Sequence, residues 1–581
     1  EGGAPDPAGG GGARGGVAGG PDRVGGVLHG RAPAQQEGAP HPAAPEARGG
    51  GPPGRGPGGG QAPGGPRAEV AGERPATDAG GHGRHPGNHR AAGVRAAVPA
   101  VPDVRRGLQG ERAPPRRRPA RGEKKRSGAD APRPPPQLSF GPQSFVVVSD
   151  PKVAKHVLLT NSKAYSKGIL SEILEFVMGQ GLIPADGEVW RVRRRAVLPS
   201  LHRKYIHAMV DMFGDTTLHG VRTLEEAARR GEAVEMENWF SRFALDIIGK
   251  AVFNYDFDSL SKDDPVIQAV YTTLREAEYR SLVPIPYWKL PFAMQLVPRQ
   301  RECVKALQVI NATLDELISK CRRLVEEEDE EFVEEFLSRA DPSLLHFLIA
   351  SGEKVTSQQL RDDLMTLLIA GHETSAAVLT WTFHLLADRP DVVADLRAEV
   401  DAVLGDRKPT VEDMADLRFT TRVINESMRL YPQPPVLIRR ALEDDVLDGF
   451  EVKAGSDMFI STWNLHRTPE LWDRPDDFDP YRFPLDEPVP TEVTTGYKYL
   501  PFGGGKRKCI GDQFALFESI VAVAMLVRRF DFAMAPGAPA VGMTTGATIH
   551  TTEGLWMNVT PVEQGGGGGG SGGGVAAREG S

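Results

Sequence analysis

Cysteine is scarce in this chain: 581 residues hold three, Cys303, Cys321 and Cys509. Cysteines so few and so scattered exclude a disulfide framework and point to a reducing compartment. No run of about 18 apolar residues occurs, so no transmembrane helix is encoded. Bulky side chains are missing altogether from one region, since Glu1 to Leu138 contains no Phe, Tyr, Trp, Ile, Met or Cys. Gly, Pro, Ala and Arg dominate there, and such a stretch cannot bury enough apolar surface to offset its ordering entropy. Residues 1–137 are therefore expected to be disordered.

Charge is divided in the same way. Glu1 to Leu138 holds 21 Lys and Arg against 12 Asp and Glu, a net of +9, which leaves 48 and 65 in the remainder, a net of −17. Organelle transit peptides are Ser-rich and amphipathic, but here Ser127 alone precedes Ser139. Charge by itself would suit a nucleic-acid arm. The reading adopted is a non-native or mistranslated stretch on a chain that begins at Glu1 rather than Met, with no nucleic-acid partner. The Gly/Ser-rich end, residues 564–581, is read as a second disordered tail. Residues 138–563 are left as the folded domain.

Its most informative stretch is Phe502-Gly503-Gly504-Gly505-Lys506-Arg507-Lys508-Cys509-Ile510-Gly511. Three cations precede the cysteine and a helix start follows it, and both lower a thiol pKa toward the thiolate. The glycines allow a turn with N–H groups facing the sulfur and leave room for a large flat group. Phe502 can wall that group in, and Arg507 can pair with a carboxylate on it. These features suit a haem, with iron on sulfur and propionate on arginine. A buried cysteine used as a small hydrophobe is commoner in general, yet it leaves the glycines and the arginine unexplained. The stretch resembles the haem-binding signature of the cytochrome P-450 superfamily, matching all five fixed positions at Phe502, Gly505, Arg507, Cys509 and Gly511. Thiolate ligation of haem is established chemistry of that family, not a result drawn from this chain.

Other patterns follow in the family's order. Phe145 to Val148 reads as a strand, Pro151 to Leu159 as a short helix, and Gly168 to Gly179 as core packing or a substrate lid. Asp186 can cap the next helix, on which Trp190 and Arg194 share a face. A surface cation–π pair would look the same, but Arg195 and Pro199 follow as in the family, where this pair meets a haem propionate. Helices are expected to run on to about Arg323, and the acidic run Glu326 to Glu335 to be solvated. Thr356 to Gln359 forms a capping box ahead of a helix of about 30 residues, some 45 Å long, with one apolar stripe from Leu360 to Leu385. Ala370, Gly371, Glu373 and Thr374 match the family's acid–alcohol motif in its middle. A zinc-protease motif is excluded, because Ala376 stands four residues after His372. Glu426 and Arg429 match Glu-x-x-Arg, and Arg482 supplies the third member of a structural salt bridge. Pro434 to Arg440 is expected as a strand, with Val436 to Ile438 facing substrate and Arg439 or Arg440 a propionate.

What the resemblance implies is a mostly α-helical P-450 fold with small β-sheets, and haem between the long helix and the cysteine loop. The family's domain begins earlier, with a helix and first strands at the membrane-facing substrate entrance, where this chain carries its low-complexity segment. Within the family, Ala164 to Asp186, Leu360 to Thr382, Thr421 to Arg440 and Thr544 to Gly554 resemble plastid carotene β-ring hydroxylases. The implied enzyme is a haem b monooxygenase of xanthophyll (lutein) biosynthesis. It uses O2 and two electrons from NADPH through a ferredoxin-type donor, in the chloroplast and peripheral to plastid membranes. The implied set is Cys509 on iron; Phe502, Arg507, Trp190, Arg194, Arg439 and Arg440 around the haem; and Glu373 with Thr374 in proton delivery. Lys506, Lys508, Arg193 and Arg195 form a basic patch for an acidic donor. Rival readings are ε-ring or fatty-acid hydroxylation, a haem-thiolate isomerase or dehydratase, which would typically lack the acid–alcohol pair, and a haem sensor without catalysis.

Overall fold

The helix Ser357–Ala387 is the axis of the molecule. Thr356 Oγ1 accepts from the Gln359 N–H while Gln359 Oε1 accepts from the Thr356 N–H, each at 3.2 Å, so the capping box forms. Buried side chains lie all round this helix, Leu364, Leu368, Ala376, Leu379, Trp381 and Phe383 among them. It is therefore a core helix, not the single-striped element that the sequence pattern implied.

The computed structural model describes residues 137–140, 143–262, 265–283, 286–326, 343–350 and 356–562. The expectations for 1–136 and 563–581, and for most of the run Glu326 to Glu335, lie outside the described residues. Helices dominate, the longest others being Arg203–Arg230 and Pro298–Glu326. Among the described residues no helix is long and apolar enough to cross a membrane.

Beside the long helix runs Met236–Phe253, buried over most of its surface. The approach is close because Gly371 has no side chain: a Cβ there would meet Ile248 Cδ1 at 2.3 Å. The helix Gly187–Val197 is tied to the long helix by a buried ion pair between Arg193 and Asp363, and Arg193 also donates to the Gln359 carbonyl at 2.9 Å.

Four small sheets flank the helices. One has the order β1 (Gln137–Phe140), β2 (Gln143–Val148), β8 (Asp457–Ser461), β5 (Val436–Ala441), β3 (Tyr165–Ser166). Here β2 runs parallel to β8 and β5 antiparallel to it, with Arg439 opposite Met458 and Arg440 opposite Asp457. Two hairpins, β6 (Asp445–Leu447) with β7 (Phe450–Val452) and β10 (Met543–Thr545) with β11 (Ile549–Thr551), stand apart. The last sheet joins β4 (Val234–Glu235), β12 (Trp556–Pro561) and β9 (Phe530–Met534).

After β2 the helix ends at Lys155 and gives way to a π-turn, His156–Thr160, instead of continuing regularly to Leu159. The segment after Gly168 is the helix Ile169–Met178, which buries Leu174, Val177 and Met178. Arg280 sits 3.6 Å over its Phe176 ring.

Candidate functional site

Cys509 lies in a loop that folds on itself before the helix Asp512–Arg529. Its N–H donates to the Phe502 carbonyl at 3.0 Å, and the Lys508 N–H to the Gly505 carbonyl at 3.1 Å. Gly505, at φ +66°, presses against the π-turn, where a Cβ would come 1.9 Å from the Leu158 carbonyl oxygen. No other residue fits there. Cys509 is exposed, yet enough protein surrounds it that burial, the largest influence, pushes its thiol up to about 11. The Gly511 N–H, Arg194 and Lys508 oppose that shift and lose. The expectation of a thiol lowered by cationic neighbours is thus corrected, because desolvation outweighs them.

The loop is held from behind. Glu426 and Arg429, both fully buried, form two hydrogen bonds of 2.8 Å, and Arg482 Nε meets Glu426 at 2.8 Å. Arg429 also donates to the His466 carbonyl at 2.8 Å, and His466 Nε2 accepts the Leu500 N–H at 2.7 Å. Burial, then the Arg429 charge, pushes His466 down to about 3, so it stays a neutral acceptor. Tyr499 donates to Asn425 at 2.8 Å from the next position. The triad is therefore connected to the cysteine loop through Leu500 and Tyr499.

Cations converge on the other side of the loop. Arg507 stacks 4.0 Å from the Trp190 ring and binds Asp186 and the Ala185 carbonyl; Arg194 lies 5.7 Å from the same ring. Asp186 stands at the helix N-cap but makes no cap with its side chain, which instead holds Arg507 and the Lys167 N–H. Arg439 is buried, and among the described residues it has no ion pair, donating only to the Ile438 carbonyl at 2.7 Å. Burial brings Arg507 and Arg439 down to about 10 and moves Lys167 well below its ordinary value; in addition, Arg439 is pushed down by Arg507, and Lys167 by both. Arg440 is a correction. Successive strand residues face opposite ways, and Arg440 is bound to Asp457 at 2.8 Å and Glu172 at 2.7 Å.

On the long helix, Thr374 Oγ1 donates to the Ala370 carbonyl at 2.7 Å, and Ser375 donates to the buried Glu518 of the cysteine helix at 2.7 Å. Burial raises Glu518 to about 8, which leaves it a neutral acid joining the two helices. Glu373 is not free to turn. It accepts from Thr548 at 3.0 Å and from His550 Nε2 at 2.7 Å, and His550 Nδ1 meets Glu237 at 2.9 Å.

Residues 129–553 match the family model described as cytochrome P450. This chain belongs to the cytochrome P450 family. It is 63% identical over 424 residues to LUTEIN DEFICIENT 5, chloroplastic, of Arabidopsis thaliana, a match covering 73% of this chain and 71% of that protein. It is 50% identical over 427 residues to carotene epsilon-monooxygenase, chloroplastic, from the same plant, covering 73% and 79%. The crystal structure of the cytochrome P450DA haem domain superposes with a TM-score of 0.63 at 25% identity, covering 74% of this chain and 90% of that one.

The residues present fit a P450 haem. Lys167, Arg439 and Arg507 face one carboxylate, Asp186, and Arg194 stands close to Arg507, an excess of positive charge in a partly buried place that two propionates would neutralise. Two residues of the patch proposed for electron transfer are corrected: Arg193 is buried on Asp363, and Lys508 is bound to Glu492 and Asp512. Lys506 and Arg195 remain exposed. The sequence reading missed Lys167, His466 and His550. The first two carry no local signal, whereas His550 lay within a stretch already noted for its resemblance.

Proposed function

We propose that this P450 monooxygenase hydroxylates the β-ring of a carotene. What carries the reading is the 63% identity to LUTEIN DEFICIENT 5, set against 50% to the carotene epsilon-monooxygenase. Bound haem would supply oxygen activation and insertion of one oxygen atom into a C–H bond. Cys509 would hold the iron, Phe502 would wall the haem, and Arg507, Arg194, Trp190, Arg439 and Lys167 would hold its propionates. Glu373 and Thr374 would deliver protons on the opposite side, general acid catalysis by positioned groups.

Both relatives are chloroplastic by name, which supports a chloroplast setting for this chain. Peripheral membrane association is supported by the surface around Tyr287–Leu296, where Phe292 is 69% and Leu296 75% exposed beside exposed Leu290 and Met294. Apolar side chains flanked by Lys289 and Arg299 suit the boundary between acyl chains and headgroups. The electron donor is an acidic ferredoxin, reduced ultimately by NADPH, docking near Lys506 and Arg195.

The test is product analysis in bacteria that accumulate either β-carotene or ε-ring carotenes, co-expressing a plastid ferredoxin system. Hydroxylated β-rings with little attack on ε-rings are expected. Preferential ε-ring hydroxylation would reverse the ring assignment, and hydroxylated fatty acids without hydroxycarotenoids would remove the carotenoid reading.

A further inference from the structure

Glu373 sits in the middle of the long helix, and its carboxylate is bound by the β10–β11 hairpin. His550 of β11 meets it at 2.7 Å through Nε2, and the other ring nitrogen meets Glu237, at the start of the helix Met236–Phe253, at 2.9 Å. Thr548 bonds to both Glu373 and His550, at 3.0 and 2.8 Å. Glu237 in turn accepts from Thr551, so the hairpin, the long helix and a second helix meet at one imidazole. Other titratable groups face this cluster. Glu278 of the helix Pro265–Leu282 and Tyr271 of the same helix lie within electrostatic range, and His372 Nδ1 is 3.9 Å from Glu373. Of these, His372 is pushed toward its neutral form by burial and does not supply the countercharge.

We infer that His550 is the positioning residue that keeps Glu373 ionised and fixed in place for its part in proton delivery. An imidazole between two carboxylates donates from both nitrogens only when it is protonated. The energetics run the same way: burial would lower His550, but its bonds to Glu237 and Glu373 push it up to about 10. Burial would likewise raise Glu373, and the His550 hydrogen bond and charge hold it below its ordinary value instead. A carboxylate kept ionised in this way takes up a proton arriving from solvent and then hands it on, returning to the carboxylate. One proton enters and one leaves in each passage toward the reacting oxygen, so the charge of Glu373 is restored.

This inference rests on Glu373 serving proton delivery, as proposed above. The test uses the haem-loaded full chain in five forms: wild type, His550→Gln, His550→Arg, Glu373→Gln and the double variant His550→Gln with Glu373→Gln. Infrared spectroscopy reads the protonation of Glu373 independently of turnover. His550→Gln is expected to show a carboxylic-acid band at neutral pH that disappears when Glu373→Gln is added. Product formed per reducing equivalent should fall about tenfold, less than the roughly 100- to 10,000-fold of a proton-transferring group itself. Substrate affinity and the haem spectrum should stay unchanged, and His550→Arg, which keeps the charge, should restore ionisation and coupling. Should His550→Gln fail to fold, Glu237→Gln keeps the imidazole, removes one of its anchors and should shift both readouts in the same direction. An ionised Glu373 with wild-type coupling in His550→Gln would overturn the inference. So would a loss of substrate binding that arginine does not rescue, since that would make the contact a hairpin anchor only. If Glu373→Gln itself stays fully coupled, the proton-delivery reading falls and this inference with it; if it uncouples while His550→Gln does not, only the inference falls.

Discussion

Arg194 and Lys508 stand close enough to Cys509 to oppose, without overcoming, the effect of burial on its thiol. The cysteine, its glycines and Arg507 were legible because the chemistry is packed into ten consecutive residues. The direction of the thiol's pKa was not, because burial is set by segments far away in sequence. The thiol alone favours its protonated form, so on the ligation proposed above iron would have to drive the deprotonation, as metals do for thiolate ligands generally. Cys509→Ala should therefore abolish the red-shifted absorption of the reduced carbon-monoxide complex typical of thiolate ligation, while Cys303→Ala and Cys321→Ala leave it unchanged. An unchanged spectrum in Cys509→Ala would refute the assignment. The two neighbouring arginines should also separate. Arg439→Ala should weaken haem retention, measured by transfer of haem to apomyoglobin, whereas Arg440→Ala should act mainly through the hold on Asp457 and Glu172. Equal haem loss from both would contradict the assignment by strand face.

At the scale of elements, the capping box and the three-residue spacing of Glu426 and Arg429 are local patterns, and both appear in the structure as read. Contacts set by register were less legible. The choice between Arg439 and Arg440 depends on the pairing of β5 with β8, and the burial of Arg193 depends on how its helix crosses the long one. Gly371 illustrates the same limit: it reads as part of a catalytic motif, yet its lack of a side chain is what lets the long helix approach Ile248. Gly371→Ala should overpack that crossing and cost about 1–3 kcal/mol, lowering the thermal unfolding midpoint. Ile248→Val in the same chain should recover part of the loss, since residues in contact are not additive. Full additivity of the two substitutions would argue against the close approach.

For the whole molecule, charge distribution is the feature most open to test. The domain is strongly acidic where the segment before it is basic, and against that acidity Lys506 and Arg195 stand exposed near the cysteine loop. Charge reversal at both should slow reduction by ferredoxin and flatten its dependence on salt, because steering between opposite charges is screened by ions. Product formation driven by added peroxide, which needs no donor, should be spared. If both routes fall together, these residues serve the fold or the haem instead of the donor. The family was legible in the sequence because its motifs recur in order along the domain. The ring preference was not, since apolar pockets discriminate by small differences of shape, about 1–3 kcal/mol per methylene.

The most direct test of the whole account is the source of the oxygen in the product. The purified enzyme, supplied with β-carotene, a reduced ferredoxin system and isotopically heavy oxygen gas, should place the heavy atom in a ring hydroxyl. A hydroxyl carrying oxygen from water, or a product formed without oxygen and reductant, would contradict it.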